Sequence, residues 1–113
     1  MPFINVKTNA KISAEQADQI KYQLGTAITA IPGKSEGWLM VGISDEQTLY
    51  FRGTADPAAM VSVSLYGSAS GNAMNTLTSH ICGILNDIAG IPTDRIYVSY
   101  MCTDHWGWNG SNF

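Results

Sequence analysis

A single spacing of 57 residues relates two helical segments, and it constrains the fold of this chain more than any other feature. Two stretches have apolar side chains at the three- and four-residue intervals of one helix face. The first stretch contains Ala17, Ile20, Leu24, Ala27, Ile28 and Ile31, and the second contains Met74, Leu77, Ile81, Ile84, Leu85 and Ile88. Each member of the second set follows its counterpart by 57 positions, which predicts a duplicated plan.

The ends of both helices have start and stop signals. Ser13 is a suitable N-cap, and Gln16 three residues later completes a capping box. The pair Pro32-Gly33 ends the first helix, while Gly90 and Pro92 end the second.

The same spacing extends to the flanking strands. The alternating runs 3–7 and 59–66 match each other, as do the apolar run 38–43 and the run 95–100. The chain is therefore interpreted as two tandem β-α-β units, about residues 2–57 and 59–113, each with a right-handed crossover. We expect one α/β (α+β) domain over residues 1–113, with a four-stranded mixed sheet and both helices on one face.

Two features predict that copies of this chain associate. Charged residues make up only 13% of the chain, against about 25% in typical soluble domains, although a small monomer needs a polar surface. The run 38–43 is apolar at nearly every position and suits a strand that is buried on both faces. Residues 49–52 are interpreted as a short extra strand that pairs across a subunit boundary. A closed homo-oligomer is expected.

Composition excludes several classes of function. The net charge of -3 provides no basic face for nucleic acid, and no apolar run is long enough to span a membrane. The N-terminus has no secretory signal, so cytoplasmic residence is expected. Cys82 and Cys102 are expected to be reduced and mostly buried thiols. No spacing is typical of a metal site, and no cofactor is expected.

Pro2 is the first candidate for chemistry. Initiator methionine is normally removed before proline, which leaves a secondary α-amine at the chain end. Burial at the start of a strand penalises the ammonium form and lowers the pKa of that amine. A neutral amine is able to abstract a proton from carbon beside a carbonyl. Many proteins nevertheless begin Met-Pro without any catalytic use of the proline, so position alone is weak evidence.

Other candidates have a structural interpretation beside the functional one. Lys34 follows the first helix and either complements its dipole or binds a carboxylate. The turn 67–71 either joins strand to helix or binds an anion with its amides. The aromatic-rich run 105–110 is expected to line a pocket or an interface. His105 lacks a nucleophile motif beside it, and His80 is interpreted as a solvent-facing or satisfied histidine.

Several stretches together resemble the macrophage migration inhibitory factor family, a part of the tautomerase superfamily. They are Met1-Pro2 with Thr8-Asn9, Gly33-Lys34, Thr54-Ala55-Asp56-Pro57, Asp94-Arg95-Ile96-Tyr97-Val98 and the ending Gly107-Trp108-Asn109-Gly110-Ser111-Asn112-Phe113. The resemblance covers essentially the whole chain, and its first and last stretches are the most specific.

The resemblance implies a homotrimer with active sites between subunits and a keto-enol tautomerase or dopachrome-isomerase type of activity on phenylpyruvate-like α-keto acids. By motif, Pro2 would be the general base and Lys34 would bind the substrate carboxylate, together with the backbone amide of Tyr66. Tyr97 of a neighbouring chain would flank the substrate ring, and Trp106 and Phe113 would form part of an aromatic wall.

Three positions depart from the family pattern. Tyr66 replaces a small aliphatic residue, which would narrow or reshape the pocket. Ser99, counted among the substrate-binding positions, replaces an asparagine. The Cys-x-x-Cys of vertebrate members is absent, since residues 58–61 are Ala-Ala-Met-Val. Two alternatives stay open: a superfamily enzyme for another small unsaturated acid, and a cytokine-like trimer that is released without a signal peptide and binds a receptor.

Overall fold

The computed structural model describes all residues from 1 to 113. Its main elements are β1 (Pro2–Thr8), α1 (Ala14–Ala27), β2 (Met40–Ser44), β3 (Ala59–Tyr66), α2 (Gly71–Ala89), β4 (Ile96–Thr103), β5 (Gly107–Trp108) and β6 (Ser111–Asn112). The order of strands in the main sheet is β2-β1-β3-β4. Strands β1 and β2 are parallel, as are β3 and β4, while β1 and β3 are antiparallel. The mixed four-stranded sheet with two helices is confirmed.

The start signals of the helices form as the sequence predicts. The Ser13 hydroxyl accepts from the Gln16 N–H at 3.1 Å, and the Gln16 side chain accepts from the Ser13 N–H at 2.9 Å. Ser70 caps α2 through the Ala73 N–H. Gly90 ends α2 in the left-handed region at φ 68°. The first helix ends earlier than its apolar pattern indicates, because residues 28–30 tighten into a 3-10 turn.

The hydrophobic core lies between the helices and one face of the central strands. Alternate residues of β1 and β3 point into it, since successive strand residues face opposite sides. Its fully buried side chains include Ile4, Val6, Val61, Val63 and Leu65 from the strands and Ile20, Leu24, Leu77, Ile81 and Leu85 from the helices. Neither helix has the length and apolar content that crossing a bilayer requires.

Three expectations are wrong for the single chain. The strand predicted over 38–43 begins at Met40 and ends at Ser44, because a 3-10 turn occupies residues 36–38. Residues 49–52 do not form a strand: Phe51 makes one isolated bridge to Thr54 around a turn with positive φ. Cys102 is exposed rather than buried, because β4 forms an edge of the sheet.

Candidate active site

Pro2 lies at one end of the central strands. It begins β1, is buried, and pairs with Leu65 of β3. The pairing continues one step further, since the Tyr66 N–H donates a hydrogen bond of 3.0 Å to the Met1 carbonyl oxygen. The backbone around Pro2 is therefore fixed by both neighbouring strands, β2 and β3.

Lys34 reaches this end of the sheet from the loop after α1. Gly33, at φ 80°, turns the chain in a conformation that favours glycine. The Lys34 ammonium then donates a 2.7 Å hydrogen bond to the Tyr66 carbonyl oxygen, and its Nζ lies 6.0 Å from the centre of the Tyr66 ring. A lysine that the sequence places only near a helix end is thus held beside the start of β1.

The amine of Met1 reports the electrostatics of this position. Burial, followed by the positive charge and the hydrogen bonding of Lys34, lowers the pKa of that amine to about 6. A terminal amine ordinarily titrates at about 7.7–8.0. A terminal amine at this end of the sheet therefore loses its proton more readily than it does in water.

An aromatic cleft adjoins Pro2. Its volume is about 340 Å³, and all three tryptophans of the chain line it: Trp38, Trp106 and Trp108. The rings of Trp38 and Trp108 meet edge to face, with centroids 5.2 Å apart. The prediction that the C-terminal indoles line a pocket is confirmed. Trp38 was not predicted as a site residue, and its segment has no local signal for that role.

The C-terminal residues form a hairpin beside this cleft. Strands β5 and β6 pair around Asn109 and Gly110, both at positive φ, and the Phe113 N–H donates to the Trp106 carbonyl oxygen at 3.0 Å. Phe113 stacks nearly parallel to Trp108, with centroids 6.2 Å apart, and lies 5.4 Å from the Tyr66 ring. The hairpin is therefore held on one side through Trp38 and on the other through Tyr66.

Met1 is common to both halves of the site. It lines the cleft that contains Pro2 and Trp106, and it also contacts Lys34 and the Tyr66 amide. Neither Lys34, Tyr66 nor Phe113 lines that cleft. Met1 thus contacts the Lys34 ammonium and the Tyr66 N–H, the two groups that the family resemblance assigns to the substrate carboxylate.

Two predicted site residues lie elsewhere in the same chain. Tyr97 pairs with Met60 and Ser99 pairs with Ser62, whereas Pro2 is level with Leu65. Leu65 lies five residue positions after Met60 along β3, a distance of about 17 Å at 3.3–3.4 Å per residue. Tyr97 and Pro2 of one chain therefore cannot contact the same small molecule.

A different set of residues surrounds Tyr97. It is 62% exposed and contacts the edge of Phe51, with ring centroids 4.9 Å apart. The Arg95 guanidinium fixes the adjoining loop, donating to four carbonyl oxygens, those of Phe51, Thr54, Asp56 and Pro57. Asn9 binds the same loop through Leu49, Ala55, Asp56 and Ala58.

The remaining candidates lie apart from this site. His80 is exposed on α2, and it borders a groove of about 600 Å³ between the helices that contains none of the predicted site residues. His105 is exposed, and the turn 67–71 joins β3 to α2. No group of three or more histidine, cysteine or acidic side chains is arranged to hold a metal ion.

A tandem β-α-β fold with a proline and a lysine at the start of its first strand defines a class, the proteins of the tautomerase fold. The family model described as "Macrophage migration inhibitory factor (MIF)" matches residues 1–113, and the chain belongs to this family. It is 32% identical to the macrophage migration inhibitory factor of Meriones unguiculatus over 115 aligned positions, which cover 100% of this chain and 99% of the relative.

Solved structures agree. The crystal structure of Leishmania major MIF2 superposes with a TM-score of 0.94 at 32% identity, covering 100% of this chain and 97% of that one. The macrophage migration inhibitory factor homologue of Prochlorococcus marinus superposes with a TM-score of 0.79 at 26% identity, covering 98% of both chains.

Proposed function

We propose that the chain without Met1 is a cofactor-independent keto-enol tautomerase for phenylpyruvate-like 2-oxo acids. One observation carries this proposal: the chain terminus, Lys34 and the Tyr66 amide meet at one end of the sheet, beside an aromatic cleft. These are a base, an anion site and a surface for an aryl group.

Removal of Met1 changes three things at this end together. It converts the Pro2 nitrogen from a tertiary amide, which has no basic lone pair, into a secondary amine. It frees the Tyr66 N–H from the Met1 carbonyl. It also vacates the space that separates Lys34 from the cleft. The chain that retains Met1 is accordingly an inactive form of the enzyme.

The reaction needs one proton to leave carbon and one to reach oxygen. The neutral Pro2 amine takes a proton from C3 of the 2-oxo acid, and the C–H electron pair becomes the C2–C3 double bond as the carbonyl oxygen gains charge. The resulting prolinium returns its proton to that oxygen, which yields the enol. Lys34 and the Tyr66 N–H bind the carboxylate. The positive charge of Lys34 and the positive end of the N–H dipole also stabilise the enolate electrostatically.

We further propose that the working form is a homotrimer in which a neighbouring chain supplies Tyr97 and Ser99. In support, Tyr97 is exposed and about 17 Å of strand separates its level in the sheet from that of Pro2. Exposed apolar side chains at the edge strands, Met40 and Met101, provide surface for such contacts.

The test compares Pro2→Gly with the unaltered sequence, both without Met1 as verified by intact mass. We expect phenylpyruvate enolisation to fall at least 100-fold, since general base catalysis contributes about 10²–10⁴-fold. The oligomeric state should be unchanged by light scattering. A chain that retains Met1 should be equally inactive. Full activity in either the Pro2→Gly chain or the Met1-containing chain would overturn the proposal.

A further inference from the structure

Tyr66 lies beside Lys34 through both its backbone and its ring. Its backbone binds the Lys34 ammonium through the carbonyl oxygen and Met1 through the N–H. Its ring lies 6.0 Å from Lys34 Nζ on one side and 5.4 Å from the Phe113 ring on the other. Aromatic surface therefore fills the space directly beside the lysine.

A series of aromatic contacts restrains the Tyr66 ring. It contacts Phe113 at a tilt of 37°, Phe113 stacks on Trp108 with planes 4° apart, and Trp108 meets Trp38 edge to face. Each aromatic contact of this kind contributes about 0.5–1.5 kcal/mol beyond area burial. Four rings in series thus connect the loop before β2, the C-terminal hairpin and the end of β3.

We propose that Tyr66 is a specificity-determining residue that selects 2-oxo acids with an unbranched C3 that carries a flat aryl group. This inference rests on the proposed function. C3 is two bonds from the carboxylate that Lys34 holds, so its substituents pass beside the Tyr66 ring before an aryl group reaches the cleft. One planar substituent passes along the Tyr66 ring, whereas a second substituent on C3 leaves that plane and meets the ring.

The kinetic test uses Met1-free chains that carry Tyr66→Leu, Tyr66→Phe or Tyr22→Leu. Tyr66→Phe retains the ring, and Tyr22→Leu makes the same loss at an exposed site on α1. The ratio of kcat/KM for phenylpyruvate to that for 3-methyl-2-oxobutanoate, which is branched at C3, is measured for each. One methylene in a pocket typically changes such a ratio by about 10–200-fold.

We expect Tyr66→Leu to lower the ratio about 10-fold, and the other two variants to leave it unchanged. An unchanged ratio in Tyr66→Leu would overturn the inference. A fall of the same size in Tyr22→Leu would do so as well, because the effect would then not depend on the Lys34 site.

A binding measurement separates this inference from the proposed reaction. The inert acids 3-phenylpropanoate and 3-methylbutanoate carry the same C3 substituents, and their binding is followed by tryptophan fluorescence because all three tryptophans line the cleft. Preference for 3-phenylpropanoate that Tyr66→Leu reduces about 10-fold supports the inference, even if no chain is catalytically active. Equal preference in the two chains overturns the inference alone. Failure of both acids to bind overturns the carboxylate site, and with it the proposed function.

Discussion

The two β-α-β units of this chain have the same backbone plan but opposite chemistry at equivalent ends. Helix α1 begins at Ala14 and α2 at Gly71, and the 3-10 turns at 36–38 and 93–95 have the same spacing of 57 residues. Left-handed glycines recur with it as well, at Gly33 and Gly90. The scaffold therefore presents two similar strand starts, one at each end of the antiparallel β1–β3 pair.

The side chains at these ends differ position by position. Pro2 corresponds to Ala59 and Lys34 to Ile91, and both counterparts are buried and apolar. The other two pairs are Trp38 with Arg95 and Tyr66 with Asn9. At the first end Trp38 lines the cleft and Tyr66 binds Lys34 and Met1. At the second end Arg95 and Asn9 fix the loop 49–58 by hydrogen bonds to its backbone. The chain terminus and Lys34 distinguish the first end, which adjoins the cleft, from the second end, which the loop 49–58 covers.

The largest expected effect comes from exchanging the side chains of Lys34 and its counterpart Ile91. Ile91 is fully buried, so Ile91→Lys places an ammonium among apolar side chains. We expect the free energy of unfolding to fall by about 3 kcal/mol or more. Lys34→Ile loses one hydrogen bond at a half-buried position and should change the free energy of unfolding by only about 1 kcal/mol.

Denaturant unfolding at one fixed protein concentration measures both changes, with Ile91→Met as the control for side-chain shape. The activities should show the reverse order, with Lys34→Ile losing at least 10-fold in kcat/KM for phenylpyruvate because a charge-assisted contact to the carboxylate is gone. Equal destabilisation by the two exchanges would show that the ends are not electrostatically distinct.

The pH dependence of activity sharpens the contrast. At the first end, burial and then the Lys34 charge lower the pKa of the Met1 amine, and we expect the same causes to act on the Pro2 amine once Met1 is removed. The base must be neutral, so kcat/KM should rise with pH through the pKa of Pro2 and reach its plateau below the ordinary range of about 7.7–8.0. Lys34→Ile removes one cause of the lowering, and its residual activity should therefore rise at a higher pH. The exposed Lys11→Met is the control and should not shift the profile. A profile that moves down in Lys34→Ile would contradict the assignment of Pro2.

The sequence predicts the scaffold better than the site, for a physical reason. Helix faces, caps and the alternation of strands and helices follow from local periodicity and from single residues such as Ser13 and Gly90, whose effects act within a turn. The site depends on contacts between distant segments. Neither the bond from the Tyr66 N–H to Met1 nor the meeting of Trp38 with Trp108 has a local signal. The error at residues 49–52 has the same cause, because Arg95 and Asn9 hold that segment as a loop.

One further packing detail arises from a glycine that periodicity places inside a helix. Gly25 of α1 has no side chain, and the Glu36 side chain lies in the space that a Cβ would occupy. This close approach brings the 3-10 turn at 36–38 against the helix and so positions Trp38 at the cleft. The counterpart of Gly25 in the second unit is Cys82, which has a side chain at this position.

The smallest predicted effect tests whether the duplicated turns are energetically equivalent. Gly33 and Gly90 have φ of 80° and 68°, and a Cβ added at either would meet no atom within 4 Å. Alanine at each position should therefore cost only the left-handed backbone penalty, about 1 kcal/mol in the free energy of unfolding. We expect Gly33→Ala and Gly90→Ala to lower the free energy of unfolding by amounts that agree within about 0.5 kcal/mol. The same backbone penalty acts at both sites, and denaturant unfolding measures it. Only Gly33→Ala should also lower activity, because Gly33 sets the direction from which Lys34 approaches Tyr66. A larger stability loss for Gly33→Ala would mean that the first turn is held by contacts outside the single chain, which the second turn lacks.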